Sequence, residues 1–200
     1  MRLFTPNSLP CQVSTWHDVS IKPGAQGSGP MLRKVYVLFI FLIVLSTACS
    51  TTTVYIVRHA EKQNETDTTD LTPAGYARAD ALAEKLANRG IDSIFSTPYY
   101  RTRQTAQTLA QRIGVPVVDY PAKPTEAIVN RVVAIRHKTV LVVGHSNTIL
   151  EIARGLGAKP TMTKIESGDF DKLFRLRIHH GPFRRSVNFF PDTYGQPTAP

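Results

Sequence analysis

Between residues 53 and 157, short β-rich runs alternate with longer segments that carry helix punctuation. This alternation is the strongest constraint on the fold. "TVYIV" (53–57), "IDSIFS" (91–96), "VPVVDY" (115–120) and "TVLVVGH" (139–145) read as strands. Runs as continuously apolar as "VLVV" suit a sheet covered on both faces. Between them, "TPAGYARADALAEKLANRG" reads as a helix, with Thr72 as N-cap, Pro73 at the first helical position and Gly90 as the stop. Tyr76, Ala79, Leu82, Ala83 and Leu86 form its apolar stripe. "PYYRTRQTAQTLAQRIG" is a second helix, Thr125 to His137 a third, and "SNTILEIARGLG" a short fourth. Residues 60–71 are polar and read as a loop. The order β-α-β-α-β-α-β-α predicts an α/β fold, a three-layer sandwich with a mostly parallel central sheet. The tail changes character. "KLFRLRIHH" (172–180) and "RSVNFF" (185–190) alternate around Gly181-Pro182 and predict two strands added at a sheet edge.

The first fifty residues read differently. Residues 1–30 hold Pro6, Pro10, Pro23, Pro30, Gly24, Gly27 and Gly29 without helical or strand period, as in disordered or misassigned sequence. Met31 is followed by Arg33, Lys34 and an apolar run from Val35 to Leu45, ending in small residues at Cys49. A charged start, an apolar stretch and a small-residue boundary form an export signal or membrane anchor over residues 31–49. The run is short beside the roughly 20 apolar residues of a bilayer span. "LSTAC" resembles the lipobox of bacterial lipoproteins, although Leu45 lies four residues before Cys49 and the usual spacing is three. The expectation is a start at Met31, a membrane tether through the N-terminal segment or a lipidated Cys49, and an exported domain over 50–200 in the cell envelope.

Charge adds little to this. The chain carries a net +9, and residues 49–200 hold 20 Lys and Arg against 14 Asp and Glu, a net +6. Anionic partners are favoured. No Lys/Arg run interleaved with aromatics marks a nucleic-acid surface. Cys11 and Cys49 are the only cysteines, which leaves no disulfide framework and no CxxC metal pair.

In open α/β sheets, ligands bind beyond the carboxyl ends of the strands. Arg58 and His59 follow the first strand, "STPYYRTRQTA" follows the second, and Gly144 and His145 follow the fourth. Two imidazoles and at least one guanidinium therefore converge on one rim. A guanidinium matches phosphate oxygens with a planar fork of donors. A neutral imidazole can attack phosphorus and carry the phosphoryl group, and a second can hold the charge that develops on it.

Four motifs, "VRHAEK" (57–62), "LTPAGYARA" (71–79), "STPYYRTRQTA" (96–106) and "VLVVGHSNT" (140–148), resemble those of the histidine phosphatase superfamily, also called phosphoglycerate mutase-like. They occur in the family's order, and the resemblance spans about residues 53–178. It implies a small single-domain member of that fold and a metal-independent phosphatase with no cofactor. It further implies that His59 is the phosphorylated nucleophile, Arg58 and Arg101 grip phosphate, and His145 completes the pocket. Thr97 stands as an insertion between Ser96 and Pro98. The leaving group needs a proton donor. Many family members supply a carboxylate from a segment between the motif after the second strand and the one after the fourth, here the short stretch between the third and fourth motifs quoted above, which makes Glu126 the first candidate, with Asp119 and Glu61 behind it. A phosphoramidate or another good leaving group needs no strong acid. Arg103 reads as a surface ion pair and His179-His180 as structural, since neighbouring strand residues face opposite sides. Tyr99 and Tyr100 remain open between core and pocket wall.

Rival readings exist. "VGHSNT" imitates a serine-hydrolase elbow with Ser146 as nucleophile, although Thr148 stands where that turn needs Gly. A zinc site from His59, Glu61 and His145 lacks the usual ligand spacing, and Arg58 would repel the cation. A phospholigand-binding lipoprotein without turnover is the non-enzyme alternative. Within the family, a phosphohistidine phosphatase or a mutase are alternatives to a monoester phosphatase acting on a phosphorylated small molecule. Oligomeric state has no sequence signal.

Overall fold

The structure, a computed structural model, describes Met31, residues 33–39 and residues 50–198. Residues 33–39 are helical, with Val35, Tyr36, Val37, Leu38 and Phe39 all exposed. Among the described residues no helix is long and apolar enough to cross a membrane. Residues 1–30, the run beyond Phe39 and Cys49 lie outside the described residues, so the readings of a leader and a lipidated cysteine fall there.

The alternation seen in the sequence builds one six-stranded sheet. Its elements are β1 (Ser50–Arg58), α1 (Pro73–Leu86), β2 (Ser93–Ser96), α2 (Tyr100–Ile113), β3 (Val117–Asp119), α3 (Glu126–Ala134), β4 (Thr139–Gly144), α4 (Ile149–Gly155), β5 (Lys172–His180) and β6 (Arg185–Thr193). The strand order is β3-β2-β4-β1-β5-β6. The first four are parallel, while β5 pairs antiparallel with β1 and β6 with β5. The tail strands therefore extend the sheet at one edge, as the alternation in 172–190 predicts. The edge strand β6 runs on through Pro191, a residue that central strands exclude.

The period of two along β1 divides the core. Val54 and Ile56 pack in one buried cluster with Ile128, Val132, Ile149 and Ile152 of α3 and α4. Tyr55 and Val57 pack in another with Leu82, Leu86 and Leu109 of α1 and α2. Helices thus cover both faces, and the sandwich has three layers. Both clusters draw only on residues between 54 and 194. Among the described residues the core therefore lies wholly within 50–200.

Local signals act as expected, with two adjustments. Thr72 Oγ1 accepts from Gly75 N at 3.1 Å, and Pro73 opens α1. A short 3-10 turn over Ala87–Arg89 precedes Gly90, whose φ of 64° needs no Cβ. The buried face of α1 is Gly75, Arg78, Ala79, Leu82, Ala83 and Leu86, while Tyr76 is exposed. Ala79, Leu82, Ala83 and Leu86 of the expected stripe are buried, and Tyr76 alone is not: Gly75 takes its place on the buried face, where no side chain fits. A Cβ there would lie 2.2 Å from the Glu61 carbonyl oxygen. The third helix stops at Ala134 rather than His137, since Ile135 is extended and His137 takes a φ of 56° in the turn into β4.

Candidate active site

Arg58 ends β1 and pairs with Gly144 at the end of β4. His59 N donates to the Gly144 carbonyl at 2.9 Å. Parallel pairing therefore delivers His59 and His145 to the same rim, with ring centroids 5.4 Å apart. The neighbouring β2 ends at Ser96, and its continuation brings Thr97, Tyr99 and Arg101 to the same place. Arg58, His59, Arg101, His145, Lys62, Tyr99, Lys123 and Ser146 are among the residues lining a cleft of about 1040 Å³. Four cations, Arg58, Lys62, Arg101 and Lys123, face one carboxylate, Glu65, among the lining residues. Glu65 is spent on Lys62. The cleft is built for an anion.

Each arginine is fixed from behind. Arg58 Nη1 donates to the carbonyls of Glu166, Ser167 and Asp169 at 2.9, 2.9 and 3.0 Å. Its guanidinium also lies 4.0 Å over the Phe170 ring. Arg101 Nη1 donates to Thr66 O at 3.0 Å, and its guanidinium lies 4.5 Å over Tyr99. Both side chains are buried, and the Nε of each has no partner among the described residues. Buried cations with unused donors leave hydrogen-bonding capacity for an anionic ligand.

The two imidazoles are held in defined states. His59 Nδ1 lies 2.8 Å from the Ala60 carbonyl oxygen. A carbonyl only accepts, so Nδ1 carries the proton and Nε2 keeps its lone pair. Burial, with Arg58, His145 and Arg101 adding repulsion, lowers the His59 pKa to about 3. Its neutral, nucleophilic form therefore dominates at neutral pH. Burial and the charges of Arg101, Arg58 and Lys62 lower His145 to about 4. His145 Nε2 lies 2.9 Å from Thr97 Oγ1, which in turn donates to Thr102 Oγ1 at 2.9 Å. Thr102 Oγ1 is a donor to the carbonyls of Thr97 and Tyr99. The arrangement can hold a multiply charged oxyanion and present it with an unprotonated ring nitrogen.

The carboxylates do not come to the cleft as expected. Glu126 opens α3 and lines a separate groove with Val129, Glu151 and Arg154. It is exposed there. Asp119 is engaged by Arg103, whose Nε donates to Oδ1 at 3.0 Å. That pair also bears out the surface role read for Arg103. Glu61 accepts from Arg78 Nε at 2.9 Å on both oxygens and from Nη2 at 2.8 Å. Arg78 Nη1 goes on to the Tyr194 carbonyl at 3.0 Å. Glu61 thus anchors the loop behind His59 to α1. The first-ranked proton donor, Glu126, is corrected on position: a helix start that faces α4 cannot serve the rim of β1 and β4.

Other groups were less legible. Thr97 touches His145, and Tyr99 is pocket wall, its ring 5.0 Å from that of His145. Tyr100 is exposed. Arg78 sits within "LTPAGYARA", and its pairing with Glu61, 17 residues earlier across a loop, has no local signal in the sequence. The carbonyls of 166–169 carry none. Hydrogen bonds of His59 and His145 run to Ala60 and Thr97 rather than to Ser146. Among the described residues no three of His, Cys, Asp and Glu are grouped to hold a metal ion.

Residues 54–122 match the sequence model of the histidine phosphatase superfamily, branch 1. Over 71 residues the chain is 35% identical to a Hydrogenobacter thermophilus protein provisionally named phosphoserine phosphatase 2, covering 32% of this chain and 35% of that one. Over 76 residues it is 36% identical to a Yersinia pestis protein provisionally named phosphoglycerate mutase GpmB, covering 34% and 35%. The chain thus spans about a third of the length of these curated relatives. Among solved structures, one provisionally named phosphohistidine phosphatase SixA, from Nakamurella multipartitia, superposes with a TM-score of 0.53 at 21% identity. That match covers 72% of this chain and 96% of the other. A mycobacterial glucosyl-3-phosphoglycerate phosphatase solved with inorganic phosphate gives 0.55 at 17% identity, covering 71% and 96%. These structures share the fold. The segment 54–122, which carries "VRHAEK", "LTPAGYARA" and "STPYYRTRQTA", is thus similar in sequence to the histidine phosphatase superfamily, and the larger part of the chain shares the fold of these phosphatases.

Proposed function

We propose that this protein is a metal-independent phosphatase that works through a phosphohistidine on His59. The observation that carries the reading is the His59 ring: Nδ1 is committed to the Ala60 carbonyl, and Nε2 is the free nitrogen beside two buried arginines. In the first step the Nε2 lone pair forms the N–P bond as the bond from phosphorus to the leaving group breaks. Arg58 and Arg101 hold the equatorial oxygens, where charge accumulates, and His145 adds a donor to them once the bound dianion draws a proton onto its Nδ1. In the second step water attacks phosphorus, the N–P bond breaks, and phosphate leaves with His59 restored to its neutral form. A monoester of a small molecule is the general substrate class, as in the phosphatases among the relatives. The N-terminal apolar run or a lipidated Cys49 would tether the domain outside the cytoplasm.

A narrower reading has its own support. Glu65, tied to Lys62, is the only carboxylate among the described residues lining the cleft. A substrate whose leaving group departs without a protein acid fits this site better than an alkyl ester. Phosphoramidates, including phosphohistidine, and aryl phosphates are such substrates.

The test uses purified 50–200 and its His59→Ala variant on p-nitrophenyl phosphate with EDTA present. Chelator-resistant turnover that disappears in the variant is expected. Turnover that survives His59→Ala moves the nucleophile to Ser146. Complete inactivity on aryl phosphate, phosphoramidate and alkyl phosphate alike favours a binding protein.

A further inference from the structure

The end of the sheet opposite the cleft has a character of its own. Ser50 begins β1, His180 ends β5 and Arg185 begins β6, so the three termini lie side by side. The turn into β4 adds Arg136 and His137, because β4 runs parallel to β1. Arg136, His137, His180, Phe183, Arg184 and Arg185 line a shallow depression there, and no carboxylate is among its lining residues. An adjoining one adds His179. Asp92 stands near this end, and its carboxylate is used by Lys138 and by Thr139 N. Burial first, then the charges of Arg136, Arg185, His137 and His179, hold His180 below its ordinary pKa. At the hairpin tip Phe183 is 92% exposed, beside Arg184.

We propose that this face, Arg136, Arg184 and Arg185 around Phe183, docks on the headgroups of an anionic lipid bilayer. Two features choose a membrane over other anionic partners. First, the charges surround an exposed aromatic ring, the combination that interfacial binding uses: cations for headgroups and an apolar wedge for the acyl boundary. Second, the chain enters the domain here. Only Ser46–Cys49 separate the apolar run ending at Leu45 from Ser50. Five peptide links reach at most about 18 Å, so any bilayer holding that run lies within reach of this face. The geometry also leaves catalysis free. Ser50 and Arg58 are the two ends of β1, roughly 26 Å apart at about 3.3 Å per residue. A domain resting on the Ser50 end opens its cleft to solution.

The test uses 50–200, which lacks the apolar run, with phosphatidylcholine vesicles with or without phosphatidylglycerol. Sedimentation with the anionic vesicles only, lost as salt is raised, is expected. Arg136→Gln combined with Arg184→Gln should weaken that binding roughly 25-fold, about fivefold per arginine. Arg136 also bonds the carbonyls of Val133 and Ile135. Phe183→Ser with Arg184→Gln is therefore the second variant, confined to the hairpin tip, and should weaken binding at least tenfold without changing the melting temperature. No binding to anionic vesicles overturns the proposal. So does binding that both variants leave unchanged, or binding through these residues to duplex DNA but not to vesicles.

Discussion

The two ends of β1 carry cations in opposite ways. At the Arg58 end the guanidinium is buried, clasped by three carbonyls and stacked on Phe170. At the Ser50 end Arg136, Arg184 and Arg185 stand exposed, with Arg185 alone reaching across to another element, the Leu156 carbonyl at 2.7 Å. The first arrangement is rigid before any ligand arrives, which is what holding a transition state requires. The second is screened and adaptable, which suits a broad charged surface rather than one phosphate. One strand thus separates the proposed chemical site from the proposed docking face.

Substitutions of buried residues at the Arg58 end should therefore cost catalysis or folding, and those of exposed charges at either end neither. The largest effect is expected at His59. His59→Ala should lower turnover by about 10⁴-fold or more with little change in melting temperature, read by initial rates and calorimetry. Gly75→Ala comes next. Its Cβ would meet the Glu61 carbonyl oxygen at 2.2 Å, against backbone that cannot give. A loss of about 1–3 kcal/mol in urea unfolding is expected. Thr97→Val keeps shape but strips the partner from His145 Nε2. A fall of roughly 10- to 100-fold in kcat, with smaller change in KM, would mark it as a positioning residue, and unchanged kcat would remove it from the site. Arg103→Ala, which breaks the exposed pair with Asp119, should change stability by less than about 1 kcal/mol and leave activity alone.

The pH dependence tests the buried end in another way. His59 and His145 are lowered to about 3 and about 4 from an ordinary 6.5. Below pH 6.5 the unfolded chain takes up protons that the folded one refuses, so stability should fall as pH drops from 6.5 toward 3. On a substrate that does not titrate in this range, kcat/KM of the free enzyme should stay level from neutral pH down to about pH 4. A loss centred near 6.5 would show that the imidazoles are not held neutral by the cleft.

Much of this was legible because the topology dictates it. Once strands 53–57 and 139–145 are parallel neighbours, the residues after them must share a rim, and Arg58, His59 and His145 do. Arg101 follows from the helix that leaves β2. Thr72, Gly90 and Gly114 marked their helix ends through capping chemistry that is local to the chain. What failed was orientation. Glu126 was placed by counting between motifs, yet a helix start can face either way, and this one faces α4. Period places Tyr76 in the apolar stripe, yet the first turn of α1 meets the Glu61 backbone at Gly75, and Tyr76 beside it points to solvent while the rest of the stripe is buried. The clasp on Arg58 comes from backbone carbonyls more than a hundred residues away, and carbonyls have no letter in the sequence.

The most direct measurement is to trap the intermediate. The wild-type 50–200 segment would be mixed with a phosphorylated substrate, quenched in alkali, where phosphohistidine survives, and its peptides read by mass spectrometry. The account predicts a phosphoryl group on the peptide containing His59, attached at Nε2 because Nδ1 is held by Ala60, and none in His59→Ala. A phosphoryl group on Ser146, or active enzyme that never carries one on His59, would contradict it.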